Sequence, residues 1–134
     1  ISPEELRIPQ YVKDETLTPL HQTYKETADL EAELPTLDVL YMTRIQQERF
    51  FNEEDYLRLK GCYSLNAKLL EQAPADMPVL HPLPRIDEIK LDVDNDPRAA
   101  YFDQVHNGVY IRMAIILALL GIPDPLTGKP VLNA

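Results

Sequence analysis

The stretch DVLYMTRIQQER, from Asp38 to Arg49, joins a short apolar run to a polar segment. Its first five residues, which end at Met42, have the length and composition of a buried strand. The segment before it, ETADLEAEL, spaces Leu30 and Leu34 four residues apart, which places both side chains on one face of a helix. A helix followed by a buried strand is one step of an alternating α/β pattern.

The alternation of strands and helices continues through the rest of the chain. Asn52, with the acidic residues after it, has the form of a helix N-terminus, and this helix is expected to end at Gly61. Further on, the pattern predicts a strand in CYSL, a helix in NAKLLEQAP, a strand in MPVL, and a long helix of about residues 97–120 that opens at Asp96 and Pro97. These elements predict an α/β fold, a three-layer αβα domain with a mostly parallel sheet.

The two ends of the chain are expected to be less regular. Ser2 and Pro3 have the form of a helix start, so a short helix is expected in SPEELRI, and a second one in PQYVKDET. A short strand is expected in LHQTY, from Leu20 to Tyr24. The proline-rich end, PDPLTGKPVLNA, is expected to be irregular. We therefore divide the chain into a domain of residues 1–121 and a C-terminal tail of residues 122–134.

Composition limits the classes of function. The chain has 22 acidic and 13 basic residues, a formal net charge of -9 and no basic cluster, so nucleic acid and anionic membranes are poor partners. No apolar run reaches the roughly 18 residues of a membrane span, and no signal-peptide pattern is present. Cys62 is the only cysteine and the three histidines are not spaced as metal ligands, so no intrachain disulfide and no metal site are expected. We expect a cytoplasmic protein.

Parallel sheets bind ligands at the carboxyl ends of their strands, and the first loop at such an end is TRIQQER. If the chain is extended there, Arg44 and Gln46 point the same way, and a guanidinium fork beside an amide suits a carboxylate. The alternative is that Arg44 pairs with a local acid such as Glu48. Glu48 and Arg49 themselves fit a structural salt-bridge network.

The second loop, HPLPR from His81 to Arg85, is stiffened by two prolines. Each proline is expected to hold the residue before it extended, so His81 and Leu83 should both be extended. Prolines donate no N–H, which leaves the carbonyls up to Pro84 as a rigid acceptor surface for a ligand with N–H groups, such as an amide. The Leu83–Pro84 bond is a candidate for the cis isomer. The alternative is an ordinary stiff turn with His81 as a buried structural histidine.

Two long motifs carry a resemblance to a known family. DVLYMTRIQQERF and VLHPLPRIDEIKLDVDNDPRAAYFDQVHNGVYIRMAIILALL resemble the C-terminal half of the aspartate carbamoyltransferase catalytic chain, and ISPEELRIPQYV resembles an earlier stretch of the same half. Ornithine carbamoyltransferases characteristically have a cysteine where Pro82 stands here, and they lack the YMTR-x-Q-x-ER signature. The resemblance implies the Rossmann-like second domain of a carbamoyltransferase, incomplete on its N-terminal side because the strand expected just before Ile1 is missing.

The resemblance implies roles for individual residues. Arg44 matches an arginine that binds a carboxylate of L-aspartate, and Gln46 matches a glutamine that assists it. Leu83 and Pro84 match the pair whose carbonyls bind the amino group of carbamoyl phosphate, across a peptide bond that is cis in the family. Five further residues match family positions that orient the loop, position the substrate-binding arginine or support the site: Glu48, Arg49, His81, Arg85 and Arg112.

The reaction implied by the resemblance is carbamoyl transfer from carbamoyl phosphate to L-aspartate in pyrimidine biosynthesis, without a cofactor. The family's phosphate-binding residues are missing from the sequence, so a complementary N-terminal half is expected and these 134 residues alone should have little or no activity. A cleaved or truncated chain, a split enzyme and a partial sequence all stay open. The family forms trimers of catalytic chains, and whether regulatory chains bind stays open. The alternatives are a non-catalytic carbamoyltransferase-like binding domain and a carbamoyltransferase for another amino acid.

Overall fold

The computed structural model describes residues 1–47 and 50–131, and a small parallel sheet lies at the centre of this part. Strand β1 spans Leu40–Tyr41 and strand β2 spans Val79–Leu80. They pair in parallel, with Leu40 opposite Val79 and Tyr41 opposite Leu80. The strands predicted in DVLYM and MPVL are therefore confirmed, although each is shorter than the apolar run that contains it. The predicted class, an α/β fold with a parallel sheet, is confirmed.

Helices of very different lengths surround the sheet. The longest, α5, spans Tyr101–Leu119, and the shorter ones are α1 (Gln10–Val12), α2 (Leu30–Glu33), α3 (Glu53–Leu59) and α4 (Ala67–Leu70). A π-helical turn continues α1 over Lys13–Leu17, and 3-10 turns lie at Glu4–Leu6, Leu34–Thr36 and Leu91–Val93. The helices predicted in the first 37 residues and in NAKLLEQAP are thus present, mostly as one or two turns.

Side-chain caps determine where α3 and α4 begin. The Asn52 Oδ1 atom accepts a hydrogen bond from the backbone N–H of Glu54 at 2.8 Å, at the start of α3. The Asn66 Oδ1 atom accepts one from the N–H of Leu69 at 2.8 Å, at the start of α4. Each such cap contributes about 1 kcal/mol to helix stability. The helix start predicted at Asn52 is confirmed.

Two predicted strands are wrong. The segment from Leu20 to Tyr24 begins inside a turn, in which His21 has a φ of 50° and donates its N–H to the carbonyl of Thr18 at 3.0 Å. A chain that reverses at this point cannot extend as a strand. In CYSL only one residue pairs, Leu65, which forms a single parallel bridge with Ile89.

The long helix begins later than the sequence pattern predicts. Asp96 uses its side chain to accept the N–H of Arg98 at 2.9 Å, and its carbonyl accepts the N–H of Ala99 at 2.9 Å. These two bonds close a turn, so the helix starts only at Tyr101. The last described residues, 120–131, contain no helix or strand, as expected for the tail.

The core lies between the sheet and the short helices, and α5 joins it only at its first residue. Tyr101 is fully buried there, whereas the apolar side chains that follow it at helical spacing are exposed. Val105, Val109, Met113 and Ile116 are 37% to 57% exposed. The buried core consists of Leu30, Leu34, Leu40, Met42, Leu65, Leu70, Ala73, Met77, Val79, Ile89, Val93 and Tyr101.

Candidate functional site

The two loops that were predicted to bind ligand lie on one cleft. Because β1 and β2 are parallel neighbours, their carboxyl ends open at the same edge of the sheet. A cleft of ≈ 900 Å³ lies at this edge. It is lined by Arg44 and Gln46 of the first loop and by His81, Pro82, Leu83 and Pro84 of the second.

Arg44 lies between this cleft and a much smaller cavity behind it. The smaller cavity, of ≈ 30 Å³, is lined by Arg44 together with Tyr56, Lys60 and Glu88, among others. Arg44 and Gln46 are both partly buried. Partial burial weakens the screening of the guanidinium charge by water, which strengthens its attraction for an anionic group in the cleft.

The HPLPR loop folds more tightly than its two prolines predict. The Leu83–Pro84 bond is cis, as the family resemblance implies. The expectation that Leu83 is extended is wrong, because its φ is 45°. The cause is local, since the Leu83 N–H turns back to donate to Nδ1 of His81 at 2.8 Å.

The His81 ring ties the loop to a buried carboxylate. His81 is 1% exposed, and its Nε2 atom lies 2.8 Å from Oε1 of Glu88. Because Nδ1 accepts the N–H of Leu83, the proton of the neutral ring lies on Nε2 and is donated to Glu88. Both nitrogens of the His81 ring are therefore hydrogen-bonded within the protein and hold the loop.

Glu88 organises the end of the same loop and was missed by the sequence reasoning. Its second oxygen, Oε2, accepts the backbone N–H groups of Ile86 and Asp87, each at 3.1 Å. Burial raises the pKa of Glu88, but the backbone N–H groups and His81 together outweigh burial and hold the pKa below its ordinary value. Glu88 lies seven residues from His81 in a segment that forms neither helix nor strand, so no periodic pattern in the sequence indicates the contact.

Arg85 anchors the loop from its other end. Its guanidinium binds the Asp94 carboxylate with both terminal nitrogens, one of them 2.6 Å from Oδ2, and also donates to the Tyr101 hydroxyl at 3.1 Å. Arg85 lowers the pKa of Asp94. Burial and then the bond to Asp94 raise the pKa of Tyr101 to about 12. Arg85 therefore holds the loop beside the cleft, and its supporting role in the site stays a prediction.

Arg112, another residue with a predicted supporting role, does not line the cleft. Arg112 is exposed on α5 and packs over Gly108, where an added Cβ would lie 3.4 Å from its guanidinium. It lines an open groove on the far side of the HPLPR loop. Glu48 and Arg49 lie outside the described residues. Gln104, which no sequence pattern indicated, donates to Tyr41 beside the first loop and accepts from His81 in the second.

Groups of metal-ligating side chains and membrane-spanning helices are both absent from residues 1–47 and 50–131. No three His, Cys, Asp or Glu side chains within these ranges are grouped so that they could hold a metal ion. Within the same ranges no helix combines the length and hydropathy that crossing a bilayer requires.

The sequence matches a described family over most of its length. The model of the aspartate/ornithine carbamoyltransferase Asp/Orn binding domain matches residues 2–119. The chain is 58% identical over 122 residues to the aspartate carbamoyltransferase catalytic subunit of Lachnoclostridium phytofermentans, covering 91% of this chain and 40% of that one. It is 53% identical over 134 residues to the same subunit of Bifidobacterium longum subsp. infantis, covering 100% of this chain and 41% of that one. The chain thus spans about two fifths of the length of these relatives.

The fold is similar to solved aspartate transcarbamoylases. The catalytic subunit of M. jannaschii aspartate transcarbamoylase matches with a TM-score of 0.75 and 39% identity, covering 90% of this chain and 39% of that one. The Trypanosoma cruzi enzyme in complex with carbamoyl phosphate and aspartate matches with a TM-score of 0.75 and 35% identity, covering 87% of this chain and 39% of that one. The same enzyme in complex with carbamoyl aspartate and phosphate matches with a TM-score of 0.70 and 36% identity, covering 86% of this chain and 35% of that one.

Proposed function

The chain belongs to the aspartate/ornithine carbamoyltransferase family, and on that premise we propose that it supplies the aspartate-binding part of an aspartate carbamoyltransferase catalytic subunit. The observation that carries the proposal is the single cleft at the carboxyl ends of β1 and β2. One wall offers the side chains of Arg44 and Gln46, and the other offers the HPLPR backbone. A carboxylate and an amide-like group can therefore bind side by side.

The first loop is proposed to bind L-aspartate. The Arg44 guanidinium can donate two parallel hydrogen bonds to one carboxylate, which fixes the plane of that carboxylate. The Gln46 amide lies two residues along and can donate to a remaining lone pair. Together, Arg44 and Gln46 would fix the position of the α-amino group of aspartate in the cleft.

The second loop is proposed to hold the carbamoyl group. The carbonyls of Leu83 and Pro84 are acceptors, and the –NH₂ of carbamoyl phosphate is a donor with two N–H bonds. Because His81, Glu88 and Arg85 hold the loop from inside, the positions of these carbonyls are fixed before substrate binds. Preorganised acceptors cost little reorganisation during the reaction.

The proposed reaction consists of one substitution at the carbamoyl carbon. The amino nitrogen of aspartate forms a bond to this carbon and loses a proton, while the bond from the carbon to the phosphate oxygen breaks and the departing phosphate takes up the proton. The products are N-carbamoyl-L-aspartate and phosphate. Holding both reactants in one cleft makes the encounter effectively intramolecular, which is the main contribution expected of these residues.

The phosphate group needs a binding site outside this chain, because no glycine-rich or basic cradle is present in the sequence. We infer that a complementary N-terminal domain supplies it, since the chain spans 40% of the length of a relative at 58% identity. The resemblance further supports a homotrimer of catalytic chains in the cytoplasm. The carbamoyl transfer would then feed pyrimidine biosynthesis.

A reconstitution assay tests the proposal. The chain is mixed with the complementary N-terminal half, or expressed as one complete catalytic chain, and product formation from carbamoyl phosphate is measured with L-aspartate and, in parallel, with L-ornithine. We expect N-carbamoyl-L-aspartate, little or no activity from the 134 residues alone, and no use of ornithine. A complete, folded chain that carbamoylates ornithine, or neither amino acid, would contradict the proposal.

A further inference from the structure

The side chain of Gln104 connects the exits of both strands. Its Oε1 atom accepts the backbone N–H of His81 at 2.8 Å. Its Nε2 atom donates to the hydroxyl of Tyr41 at 2.9 Å. Tyr41 is the last residue of β1, and His81 is the first residue after β2. The Gln104 amide therefore connects the end of β1 to the start of the second loop.

Gln104 also completes the hydrogen bonding of β2. Along the edge of β2 that faces α5, the N–H of Val79 donates to the carbonyl of Arg98 at 2.8 Å, and the N–H of Ala100 donates to the carbonyl of Val79 at 3.0 Å. The next N–H in this row belongs to His81. Because the backbone has entered α5 by this point, the Gln104 side chain takes the place of the missing backbone carbonyl.

The second loop keeps contacts of its own that do not involve Gln104. The second loop is held internally by the bond from Leu83 to the His81 ring and by the fork between Arg85 and Asp94. The last backbone hydrogen bond between β1 and β2 is donated by the N–H of Met42 to the carbonyl of Leu80 at 2.8 Å. Within the described part of the chain, the next connection between the two strand ends is the pair of hydrogen bonds made by Gln104.

We propose that Gln104 is a positioning residue that sets the spacing between the aspartate loop and the carbamoyl loop, an inference that rests on the proposed function. Each substrate binds mainly to its own loop, so its separate binding does not require Gln104. The reaction and the product both require the two loops at a fixed distance, because N-carbamoyl-L-aspartate contacts both. Misplacement of already bound groups lowers the rate of reaction between them.

The test compares four variants of the complete catalytic chain. Gln104→Met keeps the length of the side chain but removes both hydrogen bonds. Gln104→Glu keeps an acceptor for His81, and its second oxygen can accept the Tyr41 hydroxyl proton instead of donating, so the bridge survives. Tyr41→Phe removes only the link to β1. Gln72→Met is the matched control, since Gln72 is exposed and lies outside the cleft.

The readouts are KM for each substrate, kcat, and the Kd of N-carbamoyl-L-aspartate measured by calorimetry in the presence of phosphate. For Gln104→Met we expect kcat to fall and the product Kd to rise by about tenfold, with each KM within about twofold. Tyr41→Phe should likewise lower kcat and raise the product Kd. Gln104→Glu and Gln72→Met should match the wild type in both quantities. The number of binding sites per chain, measured by the same calorimetry, gives the folded fraction of each variant. A loss of folded protein is therefore not mistaken for weaker product binding.

Three results would overturn the inference. The first is a fully folded Gln104→Met variant with the product Kd and kcat of the wild type. The second is a Gln104→Glu variant as impaired as Gln104→Met, because that would mean the bridge is not what matters. The third is a wild-type complete chain that neither turns over aspartate nor binds N-carbamoyl-L-aspartate, which would overturn the proposed function as well.

Discussion

The two walls of the cleft present their chemistry in different ways. The first loop presents side chains, Arg44 and Gln46, which can be replaced one at a time. The second presents backbone carbonyls, which no substitution removes. Its geometry depends instead on side chains beneath it. Glu88 accepts the N–H groups of the two residues that follow the loop, and Asp94 binds Arg85. Substitutions should therefore act directly on substrate at the first wall, and only through the shape of the loop at the second.

The largest effect should come from Arg44→Ala in the complete catalytic chain. Removing a partly buried guanidinium leaves the aspartate carboxylate without its charged partner, so kcat/KM for aspartate should fall by about 10³-fold. KM for carbamoyl phosphate should stay within about twofold. Arg44→Lys should recover only part of the loss, because an ammonium lacks the planar fork. Steady-state kinetics with each substrate varied in turn measures this, and an equal loss for both substrates would contradict the separation of the walls.

Asp94→Asn should have the largest effect at the second wall, and it should act on stability. The substitution removes the charged partner of Arg85 in a partly buried pair, so the free energy of unfolding should fall by about 2 kcal/mol. The pKa of Asp94 is lowered in the folded state, so its stabilisation is present above the ordinary value of 3.8 and is lost as the pH falls through the folded-state pKa. Urea denaturation at pH 7 measures the difference. Asp92→Asn, at an exposed position close by, is the control and should change little.

Glu88→Gln should affect the carbamoyl loop without affecting the aspartate loop. An amide cannot accept from the His81 ring and from the N–H groups of Ile86 and Asp87 in the same orientation, so one set of bonds is lost. We expect KM for carbamoyl phosphate to rise about tenfold and KM for aspartate to stay within about twofold. Asp87→Asn makes the same charge change at the neighbouring residue and should leave both values near those of the wild type. If Glu88→Gln raised only KM for aspartate, the assignment of the second wall would be wrong.

Gln46→Ala should have the smallest effect of the series. A single hydrogen bond from an amide to a carboxylate contributes about 1 kcal/mol, so KM for aspartate should rise about fivefold. Gln47→Ala, at the exposed neighbouring position, should have no measurable effect on either KM. The same kinetic assay detects both. A larger loss in Gln46→Ala than in Arg44→Ala would reverse the roles proposed for the two side chains.

The parts of the site that lie close together in sequence could be predicted from it. Each predicted strand and the loop after it form one continuous segment, and parallel pairing of the strands was enough to bring Arg44 near Leu83. The helix start at Asn52 was equally local, because the cap is a bond to a residue two positions away. Family resemblance supplied the roles of these residues, which spacing alone left open.

The supports of the second wall could not be predicted in the same way. Gln104 and Tyr41 are 63 residues apart, and Arg85 and Asp94 are nine residues apart across a loop without periodicity. Hydrogen bonds between such positions depend on the final packing and leave no repeat in the sequence. The strand predicted at Leu20 failed for a related reason, since its first residues lie in a tight turn that begins at Thr18 and that composition did not indicate.

A crystal structure of the complete catalytic chain with N-carbamoyl-L-aspartate and phosphate tests the account most directly, because this product has a group for each wall. We predict that a carboxylate of the product lies about 3 Å from the Arg44 guanidinium nitrogens, and that its terminal –NH₂ donates to the carbonyls of Leu83 and Pro84 at a similar distance. A product bound at full occupancy without contact to Arg44, or with its –NH₂ directed away from the HPLPR loop, would contradict the account.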